Sequence, residues 1–168
     1  LKKFAIDSEK EGTVVLFNTV GTFRSMLGDL WIRLYGFSHD NEHLQRAIEA
    51  FDDAAESFEK LGVKSRVAEC FWKAARVYDD LGNHLKAGES FEAASGSYRI
   101  AAEKIPRLKD FYDDYATYMQ AWSEIEKARH HHTRQEYSSA KEHFEKVAEL
   151  HKSLKQWSYL EPNYSAWA

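Results

Sequence analysis

The sequence is short of residues that break helices. Two prolines and eight glycines in 168 residues exclude a turn-rich β-sandwich, a collagen-like chain and a disordered linker. It has a single cysteine, Cys70, so neither an intramolecular disulfide nor a cysteine-built zinc site can form, and a reducing, cytoplasmic compartment fits best. It has no excess of positive charge: 23 basic and 27 acidic residues leave a net charge of −4, which speaks against nucleic acid as a partner. No apolar run approaches the ~20 residues needed to span a bilayer; the longest, Thr13 to Phe17, stops at Asn18. No signal-peptide pattern is visible, and a chain opening on Leu1 is expected to be a fragment or a trimmed piece. A Gly-rich phosphate loop, a Cys-x-x-Cys pair and a nucleophile elbow are all missing. Neither catalysis nor a cofactor is therefore expected.

What the chain has in quantity is rings: five Trp, nine Tyr and ten Phe, too much apolar surface for a disordered acidic chain. The rings are also in step. Trp31, Phe51, Phe71, Phe91 and Phe111 recur every 20 residues. Phe58, Tyr78, Tyr98 and Tyr118 form a second series, Ala54, Ala74 and Ala94 a third, and Leu61-Gly62 is echoed by Leu81-Gly82. Self-similarity at a fixed period marks a chain built from repeated units.

Within a unit the spacing is helical. Ala47, Phe51, Ala54 or Ala55, Phe58 and Leu61 lie on one helix face, and Val67, Phe71, Ala74, Tyr78 and Leu81 repeat the arrangement. Charged residues such as Asp52, Asp53, Glu56 and Glu59 fill the opposite face. Gly62 and Gly82 suit helix ends, Ser65 and Asn83 suit the following caps, Pro106 suits a first turn, and Thr133 and Glu136 have capping-box spacing. The pattern predicts a short helix or irregular arm to Gly12, then helices near 13–37, 41–60, 65–81, 84–104, 107–132 and 136–155. Such short links make consecutive helices antiparallel neighbours. The fold class is all-α, a superhelix of helix hairpins forming one solenoid domain over 1–168, with repeats near 25–60, 65–104 and 107–154.

The middle unit resembles a tetratricopeptide repeat. Phe71, Ala74, Ala75, Tyr78, Gly82, Ala87, Phe91 and Ala94 fill every signature position of that family. The first unit matches through Trp31, Leu34, Tyr35, Ala47, Phe51 and Ala54 but departs at Ser38 and Glu42; the third matches through Ala128, Ala140, Phe144 and Val147 but departs at Glu124 and His131. Ala47 to Ala87 and Phe51 to Phe91 each span 40 residues, longer than the family's usual repeat. Long helices with this Ala-Ala, Tyr and Leu-Gly pattern are similar to the solenoid of the soluble NSF attachment proteins. Ala87 to Ala140 is 53 residues, which reads as a 13-residue insertion in the helix after Pro106. That helix is expected to be long and protruding or bent, its inward face near its old register.

The resemblance implies a partner protein or peptide held in a concave groove lined by the first helix of each pair. Its groove positions fall on Glu69, Trp72, Arg76, Asp79 and Asp80 in the middle repeat, and on Trp122, Ile125, Arg129, His132 and Thr133 in the third. Aromatic residues beside arginine are enriched at binding hot spots; packing of both tryptophans against a neighbouring repeat is the competing reading. The Lys and Asn set of the family's carboxylate clamp is not found. No metal is expected. His130, His131 and His132 point about 100° apart on a helix and cannot share one ion, and His39 precedes the helix that carries His43. The tail from Gln156 holds Trp157, Tyr159, Tyr164 and Trp167, which either cap the open end of the solenoid or pair with a second copy in a homodimer. A ligand-sensing regulatory domain and an enzyme with converging His or acids stay open as alternatives.

Overall fold

The computed structural model describes residues 2–154, with side chains from Glu11 onward. These form α1 (Lys2–Ser38), α2 (Asn41–Lys60), α3 (Lys64–Asp80), α4 (His84–Lys104), α5 (Lys109–Thr133) and α6 (Tyr137–Ser153), with a 3-10 turn at Pro106–Leu108. No strand occurs among the described residues. Each helix packs on its neighbours in sequence, and α3 also touches α5. The result is a stack of antiparallel hairpins.

The core follows the repeat. Phe51 and Phe58 on α2 are fully buried, as are Ala47, Ala54, Ala75 and Ala94, and burying one such ring stabilises the fold by about 1.5–3 kcal/mol. Two glycines let α1 come close to α2. A Cβ at Gly21 would sit 3.0 Å from the Phe58 ring, and one at Gly28 only 2.5 Å from Phe51.

The turns after α2 and α3 share one geometry. Gly62 (φ +67°) and Gly82 (φ +71°) are left-handed. The next residues, Val63 and Asn83, donate N–H back to the carbonyls of Phe58 and Tyr78 at 3.1 and 2.8 Å, the Schellman closure of a helix. Asp40 caps α2 by accepting the Glu42 N–H at 2.9 Å, and Asn83 caps α4 by accepting that of Lys86 at 3.2 Å.

Four expectations are corrected. The arm before Gly12 is not separate: α1 is continuous from Lys2, because a glycine inside a helix costs only ~1 kcal/mol and no proline interrupts the run. Ser65 does not cap α3, which starts one residue earlier behind Val63 without a side-chain cap. Thr133 and Glu136 make no capping box. Thr133 ends α5 and donates its hydroxyl to the His130 carbonyl at 2.8 Å, while Glu136 binds His131 and Arg134. The insertion does not preserve register either. Thirteen residues make about 3.6 turns, which is not a whole number. Phe111, in step with the 20-residue series, is 47% exposed, and Tyr112 and Tyr115 take over its contact with Tyr98, with ring centroids 6.0 and 5.5 Å away.

Candidate functional site

Five of the ten sequence-predicted groove residues border one cavity. Trp72, Arg76, Asp79 and Asp80 of α3 and Trp122 of α5 line a hollow of about 300 Å³, floored by Phe91 and Tyr118. A second hollow of about 340 Å³ lies between α1 and α3 and shares Trp72, Arg76 and Asp80 with the first. Together they make a trough across α1, α3 and α5. On α1 it is lined by Asp29, Ile32 and Arg33, three residues the sequence reading missed. The signal was available, since a step of 40 residues back from Glu69, Trp72 and Lys73 lands on them.

The tryptophans have a double role. Trp72 is half-buried against the core cluster of Ala68, Phe91 and Ala94. Trp122 stacks on Phe91 at 5.8 Å and meets Tyr118 edge-on at 6.3 Å. Trp122 also packs on Ala121, Ile125 and Val147, so packing accounts for part of each indole while both still border the trough.

Charge in the trough is unevenly satisfied. Lys73 is held by Asp29 at 2.8 Å and by Glu69 at 3.6 Å, and Glu69 also binds Arg66 at 2.8 Å, so the predicted residue Glu69 is spent on its own helix and on α1. Arg33 and Arg76 are exposed, and among the described residues neither has a carboxylate at ion-pair distance. Asp80 stands near them; burial, then the neighbouring Asp79 charge, raises its pKa against the pull of Arg76.

Asp79 and Arg129 meet each other instead of a ligand. Arg129 Nη1 donates to Asp79 Oδ1 at 2.5 Å and to Glu126 Oε1 at 2.9 Å. His84 Nδ1 lies 2.8 Å from Glu126 Oε2 and 3.6 Å from Asp79. Glu126 is fully buried, and desolvation raises its pKa although His84 and Arg129 pull it down. Ligand atoms of Asp79, His84 and Glu126 lie within 4.8 Å of one another, a metal-like grouping, but the Arg129 guanidinium already bonds both carboxylates there. The cluster ties the end of α3 and the start of α4 to α5. Neither Glu126 nor His84 was singled out from sequence, because a fully buried glutamate looks the same as any of 27 acids.

Two predicted residues lie elsewhere. Ile125 is a correction: it is 5% exposed and packed on Ala121 of α5 and Val147 of α6, because α6 covers that side of α5. His132 is exposed and meets Tyr137 edge-on at 5.5 Å, at the α5–α6 turn. The histidine run disperses as its spacing requires: His131 bonds Glu136 at 2.6 Å and stacks on His143 at 5.2 Å, leaving His132 to Tyr137. The aromatic tail from Gln156, with the homodimer assigned to it, lies outside the described residues.

A larger hollow of about 1050 Å³ sits between α5 and α6, lined by Gln120, Glu124, Lys141, Glu145 and Lys146 among others. Most of its charges are paired, Lys146 with Glu124 and Lys141 with Glu145, each at 3.7 Å, and Glu149 with Lys152 at 2.8 Å. Among the described residues no helix is long and apolar enough to cross a membrane.

A search of curated proteins and a search of solved structures gave no match. The family model described as soluble NSF attachment protein, SNAP, matches residues 34–99, from the end of α1 through most of α4. Residues 34–99 are thus similar to the soluble NSF attachment protein family, within a chain whose described residues form an all-α solenoid of helix hairpins.

Proposed function

We propose that the whole chain is one non-catalytic interaction module that holds a segment of a partner protein in the trough across α1, α3 and α5. The observation that carries this reading is the pairing of indoles with cations outside any close ion pair: Trp72 and Trp122 border the trough, and Arg33 and Arg76 stand over it with no carboxylate at ion-pair distance, Asp80 acting on Arg76 only from farther off. Such a surface suits a segment that alternates acidic and large apolar side chains. The stacked helices hold these groups in place beforehand, so docking loses little side-chain entropy. A small-ligand reading is weaker, since both hollows sit at the bottom of the ~300–1,000 Å³ range of small-molecule pockets and share one rim of exposed charge.

The test is selection of binding peptides from a displayed random library, followed by measurement with Arg33→Glu/Arg76→Glu. Both arginines are exposed, so the double variant leaves the core untouched. Selected peptides should be rich in Asp or Glu and in large apolar residues. Their affinity should fall at least ~10-fold in the variant and weaken with salt, as screened charge pairs do, while the melting temperature stays put. Equal binding by wild type and variant sinks the proposal. Trp72→Ala is a poorer probe, because Trp72 also packs in the core and its truncation costs stability.

A further inference from the structure

We propose that two copies of this chain pair through the outward face of α1. Helix α3 lies between α2 and α4, and α5 between α4 and α6, whereas α1 has a neighbour only toward α2 and the trough. Its remaining face is nonetheless apolar. Leu16, Val20, Phe23, Leu27, Leu30, Leu34 and Phe37 follow one another at steps of four and three residues, and all except the half-buried Val20 are exposed, from 37% at Leu34 to 86% at Phe37. The face toward α2 is separate: Gly21, Ser25, Gly28, Ile32 and Tyr35 lie there, buried or half-buried.

The spacing selects the occupant. A mean step of 3.5 residues is the period at which one helix inserts knobs into the holes of another, so the stripe fits a helix of equal period and length. A second copy of α1 has both. A two-fold interface also needs a self-complementary patch, and a stripe without a charged residue sets no like charges against each other. Arg24, which flanks it, is already engaged by the Asp53 carbonyl at 3.2 Å and its carboxylate at 3.6 Å.

The area is sufficient. With ~200 Å² for a large apolar side chain, the exposed fractions leave up to roughly 700 Å² per copy, at or above the largest apolar patch of an ordinary monomer. Two copies would cover about 1,400 Å² in total, within the size of a specific protein–protein interface.

Sedimentation of the full chain from low to high micromolar concentration reads the result. Wild type should reach about twice the 19.5 kDa of one copy. Leu27→Glu/Leu30→Glu should move the monomer–dimer midpoint upward on the order of 100-fold in concentration, because each copy would bury two charges in the seam, with helicity by circular dichroism unchanged. Substitution of the tail rings Trp157 and Trp167 by Ala should leave the dimer intact. A chain that stays at the monomer mass throughout overturns the proposal, whether that face is then covered by a foreign helix or by lipid. A dimer that survives the Leu27/Leu30 change, or dissolves with the tail change alone, overturns it as well. Should the glutamate variant unfold, Leu27→Cys decides the matter under mild oxidation: a disulfide-linked dimer is expected, and its absence contradicts the seam. Wild type is the control, since Cys70 is buried with its thiol pushed up to about 12.

Discussion

His151 on α6 is fully buried, and burial lowers its pKa below the ordinary 6.5. The unfolded chain therefore takes up this proton first. Stability contributed by the neutral ring is present above 6.5 and is lost as pH falls toward the folded value. Glu124 acts in the same direction lower down. Burial raises its pKa, but the hydrogen bond from His143 and the charges of Lys127, His143 and Lys146 outweigh it, leaving the carboxyl below its usual 4.5. Glu126 acts oppositely, its raised pKa favouring the fold as acid is added. The melting temperature should thus drop between about pH 7 and pH 5, where histidine titrates. His151→Leu should flatten that part of the profile, and an equally steep profile in the variant would assign the drop to another group. From sequence, the groove positions implied by the family resemblance named Trp72, Arg76 and Asp80, which sit four residues apart and so share a helix face. The same carry-over misplaced Ile125, whose surroundings depend on α6, and a position within one repeat cannot report a neighbour.

Among elements, the turns show what the sequence does and does not disclose. Gly62 and Gly82 announce two left-handed closures. Two others carry no glycine: His39 at φ +53° follows α1, and Gln135 at φ +63° follows α5, with Glu136 N–H bonded to the His131 carbonyl at 3.0 Å. No glycine marks the turn after α5, so the chain pattern suggested a capping box at Thr133 and Glu136 instead. Helix extents were readable because apolar spacing is dense and prolines are few; α1 was read short because Gly12 suggests a break that the helix in fact tolerates. Glycines inside helices separate by what stands opposite them. Gly28→Ala would push a methyl to 2.5 Å from the buried Phe51 ring, and overpacking of this kind costs about 1–3 kcal/mol. Gly96 has nothing within 4 Å of an added Cβ, so Gly96→Ala should stabilise by about 0.5–1 kcal/mol. Urea unfolding of both variants checks the contrast; a stabilised Gly28→Ala would mean α1 does not approach α2 so closely.

At the scale of the whole molecule, the helices divide the work. Even-numbered α2 and α4 bury their own rings of the two aromatic series, Phe51, Phe58, Phe91 and Tyr98, while α1, α3 and α5 present one trough whose aromatic and basic residues are only partly used by packing. The Asp79–Arg129–Glu126–His84 cluster locks α3 and α5 at the spacing that shapes this trough. The 40-residue period made the stack legible, but the trough itself needed three dimensions, since its walls come from helices some 40 to 90 residues apart. The central claim is that a partner segment lies against Trp72 and Trp122. The indole N–H signals in a nuclear magnetic resonance titration with a selected peptide test it most directly. Those of Trp72 and Trp122 should move together at saturation, while that of Trp31, stacked on His43 at 5.4 Å and covered by Arg46, should stay in place; a bound peptide that shifts neither Trp72 nor Trp122 would contradict the account.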